Sequence, residues 1–278
     1  MSNSVWSAVR RAYASGVLDM GYPFARNVRY VGENAPTGVT AYNTIQEAVD
    51  ALIDGDLLIV GPGEYDENVT ITDKNKITVI GAGNPHACRL TALTNGIALT
   101  IVGGQDVTII NMNLEGRGTG GALKLDGQIR RLVVQGCKIH GGADGVLIAP
   151  AALGQIVEAI IEGCLITGLT TGISHAGTGG DPTHKVTIQG NRFIAITTDC
   201  IVSTGSFING MVIDNIMGND GDTEPTRFIK LDGAGDSGIV AGNQFATPTN
   251  DNAKFVLDAD VMWGANATEA GWSTARPS

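Results

Sequence analysis

The sequence predicts an all-β protein in which short parallel strands stack into a solenoid. One motif recurs six times: a short β-branched run, a polar residue, Gly or Asn, one further residue and an apolar anchor. Its copies begin at Val107, Leu132, Ala159, Val186, Met211 and Gly238, so successive copies are 25, 27, 27, 25 and 27 residues apart. A repeat of this length, in a chain with 39 glycines and 5% aromatic residues, is typical of stacked coils with tight corners.

A second series of apolar segments has the same period. It begins at Ile97, Ala122, Val146, Ile173, Ile201, Ile229 and Val256. Two series with one period mean that each coil contributes a strand to at least two parallel sheets. We therefore expect the apolar residues of successive copies to lie directly above one another in the interior. Those of the first series are Ile109, Val134, Ile161 and Ile188.

Residues 1–40 do not fit the repeat, and we expect them to form an N-terminal arm. The arm contains Trp6, Arg10, Arg11 and Tyr13, which are residue types that anchor protein interfaces. These four are candidate docking residues. Because neighbouring apolar residues have helical spacing, the alternative is a surface helix packed on its own domain.

A capping helix is predicted at residues 41–55. Thr44 and Glu47 have the spacing of a capping box, and the following apolar residues line one helical face. A solenoid exposes unpaired strand edges at each end, so this helix is expected to be its N-terminal lid. The repeats then occupy residues 56–262, and residues 263–278 are expected to be a C-terminal tail.

The segment after this helix carries a more specific pattern. GDLLIVGPGEYDENVTI at 55–71 and KITVIGAG at 76–83 resemble the opening of right-handed parallel β-helices of the pectin-lyase-like superfamily. The resemblance implies a single-stranded right-handed parallel β-helix. It also implies a third sheet, which the apolar pattern does not locate.

Gly63, Tyr65 and Glu67 match the G-x-Y-x-E signature of pectin methylesterases. In that family, Gln- and Asp-bearing motifs and an Arg-bearing motif complete the active site. Gln105 and Asp106 lie in a repeat corner and lack that context. G-x-Y-x-E is also widespread in the first coil of β-helices, so we expect it to be a structural element here.

Paired carboxylates for glycoside hydrolysis are not predicted at a usable separation. Asp126 and Asp232 share the string K-L-D-G, and stacking places them roughly 20 Å apart. Asp144 and Asp199 precede strands of the second series two coils apart, roughly 10 Å, just beyond the range of an inverting hydrolase. We expect all four to be solvated corner carboxylates, and no catalytic residue is assigned.

No metal or cofactor site is predicted either. The four histidines lack metal-ligand spacing, and Lys124 and Lys230 lack the acidic cluster of a calcium-dependent lyase. Glu224, Asp232 and Asp236 give only a weak indication of a cation site around one loop.

Asn and Cys recur at the corners of the first series. The asparagines are Asn113, Asn191, Asn215 and Asn243. They predict a column of amides hydrogen-bonded from coil to coil, with glycan binding as the alternative. Cys137 and Cys164 are expected to be stacked neighbours that stay reduced and buried, because their side chains would point in parallel.

The net charge of −10 and pI near 4.7 disfavour nucleic acid and anionic lipid as partners. They also weigh against an acidic polysaccharide, unless calcium or a local basic patch reverses the field. No apolar run approaches the roughly 18 residues of a membrane span. Arg10 and Arg11 stand where a signal peptide would be apolar, so we expect no signal peptide and assembly in a host cytoplasm.

Two functions remain from the sequence. The first is a non-enzymatic bacteriophage virion protein, either a head decoration or fibre or a tailspike-like adhesin. It would be a homo-oligomer, expected to be a trimer, attached through its arm to capsid or tail proteins and able to bind cell-surface polysaccharide. The alternative is a polysaccharide-degrading lyase or glycoside hydrolase acting on one β-helix face. The absence of a complete motif set favours the first.

Overall fold

The computed structural model describes residues 27–33, 35, 37–84, 87–150, 155–176, 183–218, 224–233, 235–246, 254–268 and 271–273. Nearly all their regular structure is β, arranged as a parallel solenoid of about 8 turns. The predicted right-handed parallel β-helix is confirmed. The candidate docking residues Trp6, Arg10, Arg11 and Tyr13 lie outside the described residues. In the part of the chain that the structure describes, no helix has the length and apolar character needed to cross a bilayer.

The strands fall into three parallel ladders, which we call sheets A, B and C, and four long strands each pass through two of them. These are β8 (Leu99–Ile110), β10 (Leu123–Gln135), β14 (Leu165–His175) and β17 (Arg192–Ser203). The first two run from sheet C into sheet A, and the last two run from sheet B into sheet C.

The remaining strands each belong to one ladder. Sheet A also contains β1 (Val28–Val31), β3 (Leu57–Val60), β6 (Thr78–Gly81), β13 (Ala159–Glu162), β16 (Val186–Gln189), β19 (Gly210–Ile213), β22 (Gly238–Ala241) and β25 (Val261–Trp263). Sheet B also contains β4 (Gly63–Asp66), β7 (Cys88–Thr91), β9 (Asn113–Glu115), β11 (Lys138–His140), β20 (Ile216–Met217), β23 (Gln244–Phe245) and β26 (Asn266–Thr268). Sheet C also contains β5 (Val69–Thr72), β12 (Asp144–Ile148), β21 (Arg227–Leu231) and β24 (Phe255–Leu257).

A few strands stand at the margins of the ladders. β2 (Thr40–Tyr42) pairs with β1, and β27 (Gly271–Ser273) pairs antiparallel with β26. β15 (Thr183–His184) and β18 (Phe207–Ile208) form a separate parallel pair. The sequence predicts that residues 1–40 stand outside the repeat. β1 lies within this range but belongs to sheet A, since Val28–Val31 pairs along the whole of β3.

Sheet A is the first predicted series and sheet C is the second. The register pairs Thr187 with Met211, so that copy of the motif begins one residue earlier, at Gly210. In sheet C, Val146, Ile173, Ile201 and Ile229 are in register as predicted. The other three copies of this series begin at different residues from those predicted. The residues in register are Leu99 instead of Ile97, Leu123 instead of Ala122 and Phe255 instead of Val256. Sheet B is the third sheet, and it lies just after the corner that ends each copy of the motif.

The interior is an apolar column. Ile109, Val134, Ile161 and Ile188 are successive partners in sheet A, and each is 0% exposed. The predicted stacking of these four residues is therefore confirmed. Full burial of one such side chain contributes about 1.5–3 kcal/mol, so the column supplies a large part of the driving force for folding.

Helix α1 (Ile45–Asp50) is shorter than the predicted 41–55. The predicted capping box is present: Thr44 accepts a hydrogen bond from the amide of Glu47, whose carboxylate accepts from the amide of Thr44. Ile45, Ala48 and Val49 are buried in the main core, whereas Ile53 lies beyond the helix and is 44% exposed. The role of this helix as a lid stays a prediction.

The corner between sheets A and B carries a polar column. Asn191, Asn215, Asn243 and Asn266 occupy equivalent positions, and the backbone amide of each of the first three donates to the side-chain oxygen of the next. Cys137 and Cys164 hold the same position in the two preceding coils, and all four cysteines are free and buried. Asn113, predicted to belong to the column, is one residue past it. Its Oδ1 lies 2.7 Å from Nε2 of His140.

Candidate functional site

The G-x-Y-x-E motif joins the first coil to the helix. The Tyr65 hydroxyl donates to the Gly61 carbonyl at 3.0 Å, and burial raises the pKa of this hydroxyl to about 12. The Glu67 carboxylate accepts from the amides of Ile45 at 2.7 Å and Gln46 at 3.0 Å, which are the first two amides of α1. These amides lack intrahelical partners, and a carboxylate is favoured at a helix N-terminus. The contacts therefore support the structural interpretation of the motif.

The two K-L-D-G strings form local ion pairs. The ammonium of Lys124 lies 2.8 Å from a carboxylate oxygen of Asp126, and that of Lys230 lies 3.4 Å from one of Asp232. Both aspartates follow sheet C strands four coils apart, so stacking separates them by roughly 20 Å. Asp126 and Asp232 do not converge on one substrate.

The start of sheet C carries a polar column on the outer side of the sheet. Asp144, Thr171, Asp199 and Arg227 are partners in consecutive coils. We call these four residues the Asp144 column. The two aspartates are two coils apart, as the sequence predicts, which corresponds to roughly 10 Å. Of the two carboxylate pairs that the sequence singles out, Asp144 and Asp199 are closer together than Asp126 and Asp232.

The two aspartates of this column have different environments. Asp199 is 4% exposed, and both its oxygens accept from the Arg227 guanidinium, with Nη2 at 2.9 Å from Oδ2. Asp144 forms no such ion pair with any residue that the structure describes. Burial raises the pKa of its carboxyl, and a hydrogen bond from the Thr171 side chain partly opposes this by lowering it. In the coil below Asp144 stands Gly121, which has no side chain. Of the two carboxyls in the column, Asp144 is therefore the better prepared to exchange a proton.

The three histidines that the structure describes do not gather into a site. His140 is bonded to Asn113, and His86 lies outside the described residues. His175 is 2% exposed, and its ring nitrogens lie 3.0 Å from the Ser203 hydroxyl and 2.9 Å from the Thr183 hydroxyl. Burial lowers its pKa to about 4, so it is neutral at pH 7.

The suggested cation ligands are already engaged. Asp236 accepts from the amides of Phe207 and Gly233, and Glu224 lies 3.6 Å from the Lys254 ammonium. Among the described residues, no group of three or more His, Cys, Asp or Glu could hold a metal ion.

Gln105 and Asp106 lie in a corner between sheets C and A. Asp106 forms an ion pair with Arg131. Gln105 lines an open groove of about 360 Å³ together with Asp73, Asn75, Gly104, Gln128 and Arg130. This groove does not include Asp144 or Asp199, so it is not part of the Asp144 column.

Part of the Asp144 column was missed in the sequence. Asp144 and Asp199 could be singled out because each precedes a strand of the second series. Arg227 stands at the same offset before Phe228-Ile229, and this shared offset is the signal that could have identified it. Thr171 has the same offset before Ile173, but a threonine in a β-branched strand is ordinary and does not stand out.

Neither a family model nor a curated protein sequence matches the chain. Solved structures are similar in fold. An alginate lyase from Paenibacillus has a TM-score of 0.65 and 17% identity, covering 81% of this chain and 83% of that chain. Pectin methylesterases from Aspergillus niger and from carrot both have TM-scores of 0.63, with 15% and 13% identity. Each alignment covers 88% of this chain. They cover 86% of the Aspergillus niger enzyme and 82% of the carrot enzyme. The likeness shows a shared fold, the parallel β-helix.

Proposed function

We propose that this protein acts on a polysaccharide along the outer face of sheet C, with Asp144 as the proton-exchanging group. The observation that carries the proposal is the environment of Asp144, whose carboxyl is partly buried, has a raised pKa and is not ion-paired to any of the described residues. A carboxyl of this kind holds its proton at a higher pH than a solvated one, which suits general acid–base catalysis.

The position and pairing of the second carboxylate of the column, Asp199, indicate the type of reaction. Glycoside hydrolases use two carboxyl groups, about 5–5.5 Å apart in retaining enzymes and about 6.5–9.5 Å apart in inverting enzymes. Asp199 is roughly 10 Å from Asp144 by coil rise, and Arg227 occupies both its oxygens. We therefore favour chemistry that needs one proton-exchanging carboxyl, such as elimination or ester hydrolysis, over glycoside hydrolysis.

The sequence leaves two functions, a virion protein and a polysaccharide-degrading enzyme. The likeness in fold supports the enzyme. Similar structures are named as a lyase acting on alginate and as methylesterases acting on pectin. The net charge of −10 repels a polyanion, so an esterified and less charged polymer is the better substrate.

The test is an assay against pectin, pectate, alginate and a neutral capsular polysaccharide, measuring released methanol, unsaturated ends and reducing ends. We expect product from at least one polymer and a loss of about 100-fold or more in Asp144→Asn. Asp126→Asn is the matched control, because Asp126 also borders sheet C but is paired with Lys124. Absence of every product, or full activity in Asp144→Asn, would refute the proposal.

A second candidate function is the non-enzymatic one. It is favoured by the ion pair of Asp199 with Arg227, which leaves only one free carboxyl on the column. In this case we propose a bacteriophage virion component assembled in the host cytoplasm, as a homotrimer attached to capsid or tail through residues 1–40. Retention of intact polysaccharide without any product in the same assay would favour it over the enzyme.

A further inference from the structure

The corner between sheets A and B contains a trough that is separate from the Asp144 column. The residue at this corner has a left-handed backbone in six consecutive coils, from Asn111 to Gly242. In chain order the residues are Asn111, Gly136, Gly163, Gly190, Asp214 and Gly242, with φ of 57, 60, 59, 61, 55 and 71°. The corner conformation is thus compatible with Asn and Asp, yet three consecutive coils have Gly. Those three glycines form the floor of the trough.

The floor is open. A Cβ atom added at Gly136 or Gly163 would meet nothing within 4 Å, and one at Gly190 would meet only the Gly163 nitrogen at 3.9 Å. The trough encloses about 490 Å³, and Asp214 lines it at the C-terminal end. At the other end, Asn111 is held by bonds from its Nδ2 to the carbonyls of Gly81 and Gly83.

The wall of the trough is formed by the residue before each glycine. Gln135, Glu162 and Gln189 are partners in consecutive coils. The Glu162 carboxylate accepts from Nε2 of Gln135 at 2.7 Å and from Nε2 of Gln189 at 2.6 Å. Within the described part of the chain, each amide therefore keeps one N–H and its carbonyl oxygen for a further partner, and the carboxylate fixes the orientation of both amides.

The chemistry of the lining excludes several kinds of ligand. The floor amides are already used: Gly136 donates to Glu162, Gly163 to Gln189 and Gly190 to Ile213, at 3.0–3.1 Å. A peptide therefore cannot add as a strand, and an anion finds no free backbone N–H. No basic or large apolar side chain lines the trough, so phosphate and lipid are also poor ligands.

We propose that this trough binds a neutral polysaccharide whose chain runs parallel to the solenoid axis. Sugar hydroxyls both donate and accept, as the free groups of Gln135 and Gln189 do. The two amides are two coils apart, roughly 10 Å, and so would contact different sugar units of one chain. The glycine floor lets the sugar rings approach the backbone closely. This binding goes beyond the proposed reaction, because the trough and the Asp144 column lie at different corners of the coil.

The experiment is a titration calorimetry series with neutral glucan, mannan and galactan hexasaccharides, in buffer containing a calcium chelator. The double variant Gly136→Asn, Gly163→Asn fills the trough, and the corner tolerates the change because Asn111 has the same backbone conformation. Gly168→Asn is the matched control, since Gly168 also has a positive φ, of 66°, and open space but lies outside the trough.

We expect wild type and Gly168→Asn to bind at least one hexasaccharide, and the double variant to bind at least 10-fold more weakly. The titration measures binding at the trough and not product formation, so failure of the proposed reaction would leave this result unaffected. No binding of any hexasaccharide by the wild type, equal binding by the double variant, or binding that appears only with added calcium would overturn the proposal.

Discussion

Asn215→Ala should cost the protein about 4 kcal/mol of unfolding free energy. Asn215 is 0% exposed, and its Oδ1 accepts from both the backbone amide and the Nδ2 group of Asn191. Its own Nδ2 donates to the carbonyl of Ile188 at 2.9 Å and to Oδ1 of Asn243 at 2.9 Å. Alanine leaves the buried amide of Asn191 without its acceptor, which costs about 1–3 kcal/mol. Loss of the other bonds adds about 0.5–1.5 kcal/mol each.

The assay is urea denaturation followed by circular dichroism, with thermal unfolding as a second measurement. The matched control is Asn113→Ala, because Asn113 is also buried but lies outside the column, and its side chain bonds to His140. We expect this control to lose about 1 kcal/mol. A loss in Asn215→Ala no larger than in the control would show that the asparagine column does not stabilise the stacked coils.

Two further changes test other parts of the fold. Glu67→Ala should cost about 2 kcal/mol in urea denaturation, because it removes the carboxylate from the first amides of α1, whereas Glu64→Ala, whose side chain is 75% exposed, should cost little. His175→Gln should flatten the pH dependence of stability between about pH 6.5 and 4. In the wild type, the unfolded chain binds the proton first, since burial lowers the pKa of folded His175 to about 4. The free energy of unfolding is therefore unaffected by this residue above about pH 6.5, and it falls by about 3 kcal/mol as the pH drops to 4. Equal slopes in variant and wild type over this range would contradict the assignment.

The sequence predicted sheets A and C because their strands carry several interior positions each. Runs such as Leu132–Gln135 are long enough to show the alternation and the period that stacking imposes. The third sheet was expected from the resemblance but could not be located, because the strands of sheet B are short and several place one residue in the core. In Lys138–His140 only Ile139 is buried, and in Ile216–Met217 only Met217. When the pairing between coils is unknown, a single apolar residue after a corner cannot be distinguished from a loop residue.

The same reasoning explains what was missed among the polar residues. Gln135, Glu162 and Gln189 are each an isolated polar residue at the end of a strand, which is an ordinary pattern for a strand leaving the core. Their arrangement arises only when three coils stack in register and the carboxylate bridges both amides. One-residue register shifts, as at Met211, would misalign such a set, so polar columns are harder to predict than apolar ones.

The choice of reaction depends on the residue between the two aspartates of the Asp144 column. A carboxylate at position 171 would stand one coil rise, about 5 Å, from Asp144, which is the separation found in retaining glycosidases. The chain has Thr171 there instead, and its side chain hydrogen-bonds Asp144. The next carboxylate, Asp199, is one coil farther and is neutralised by Arg227. The column therefore combines one protonatable carboxyl, one hydroxyl and one fixed ion pair, and this combination favours acid–base chemistry by a single residue over a two-carboxylate mechanism.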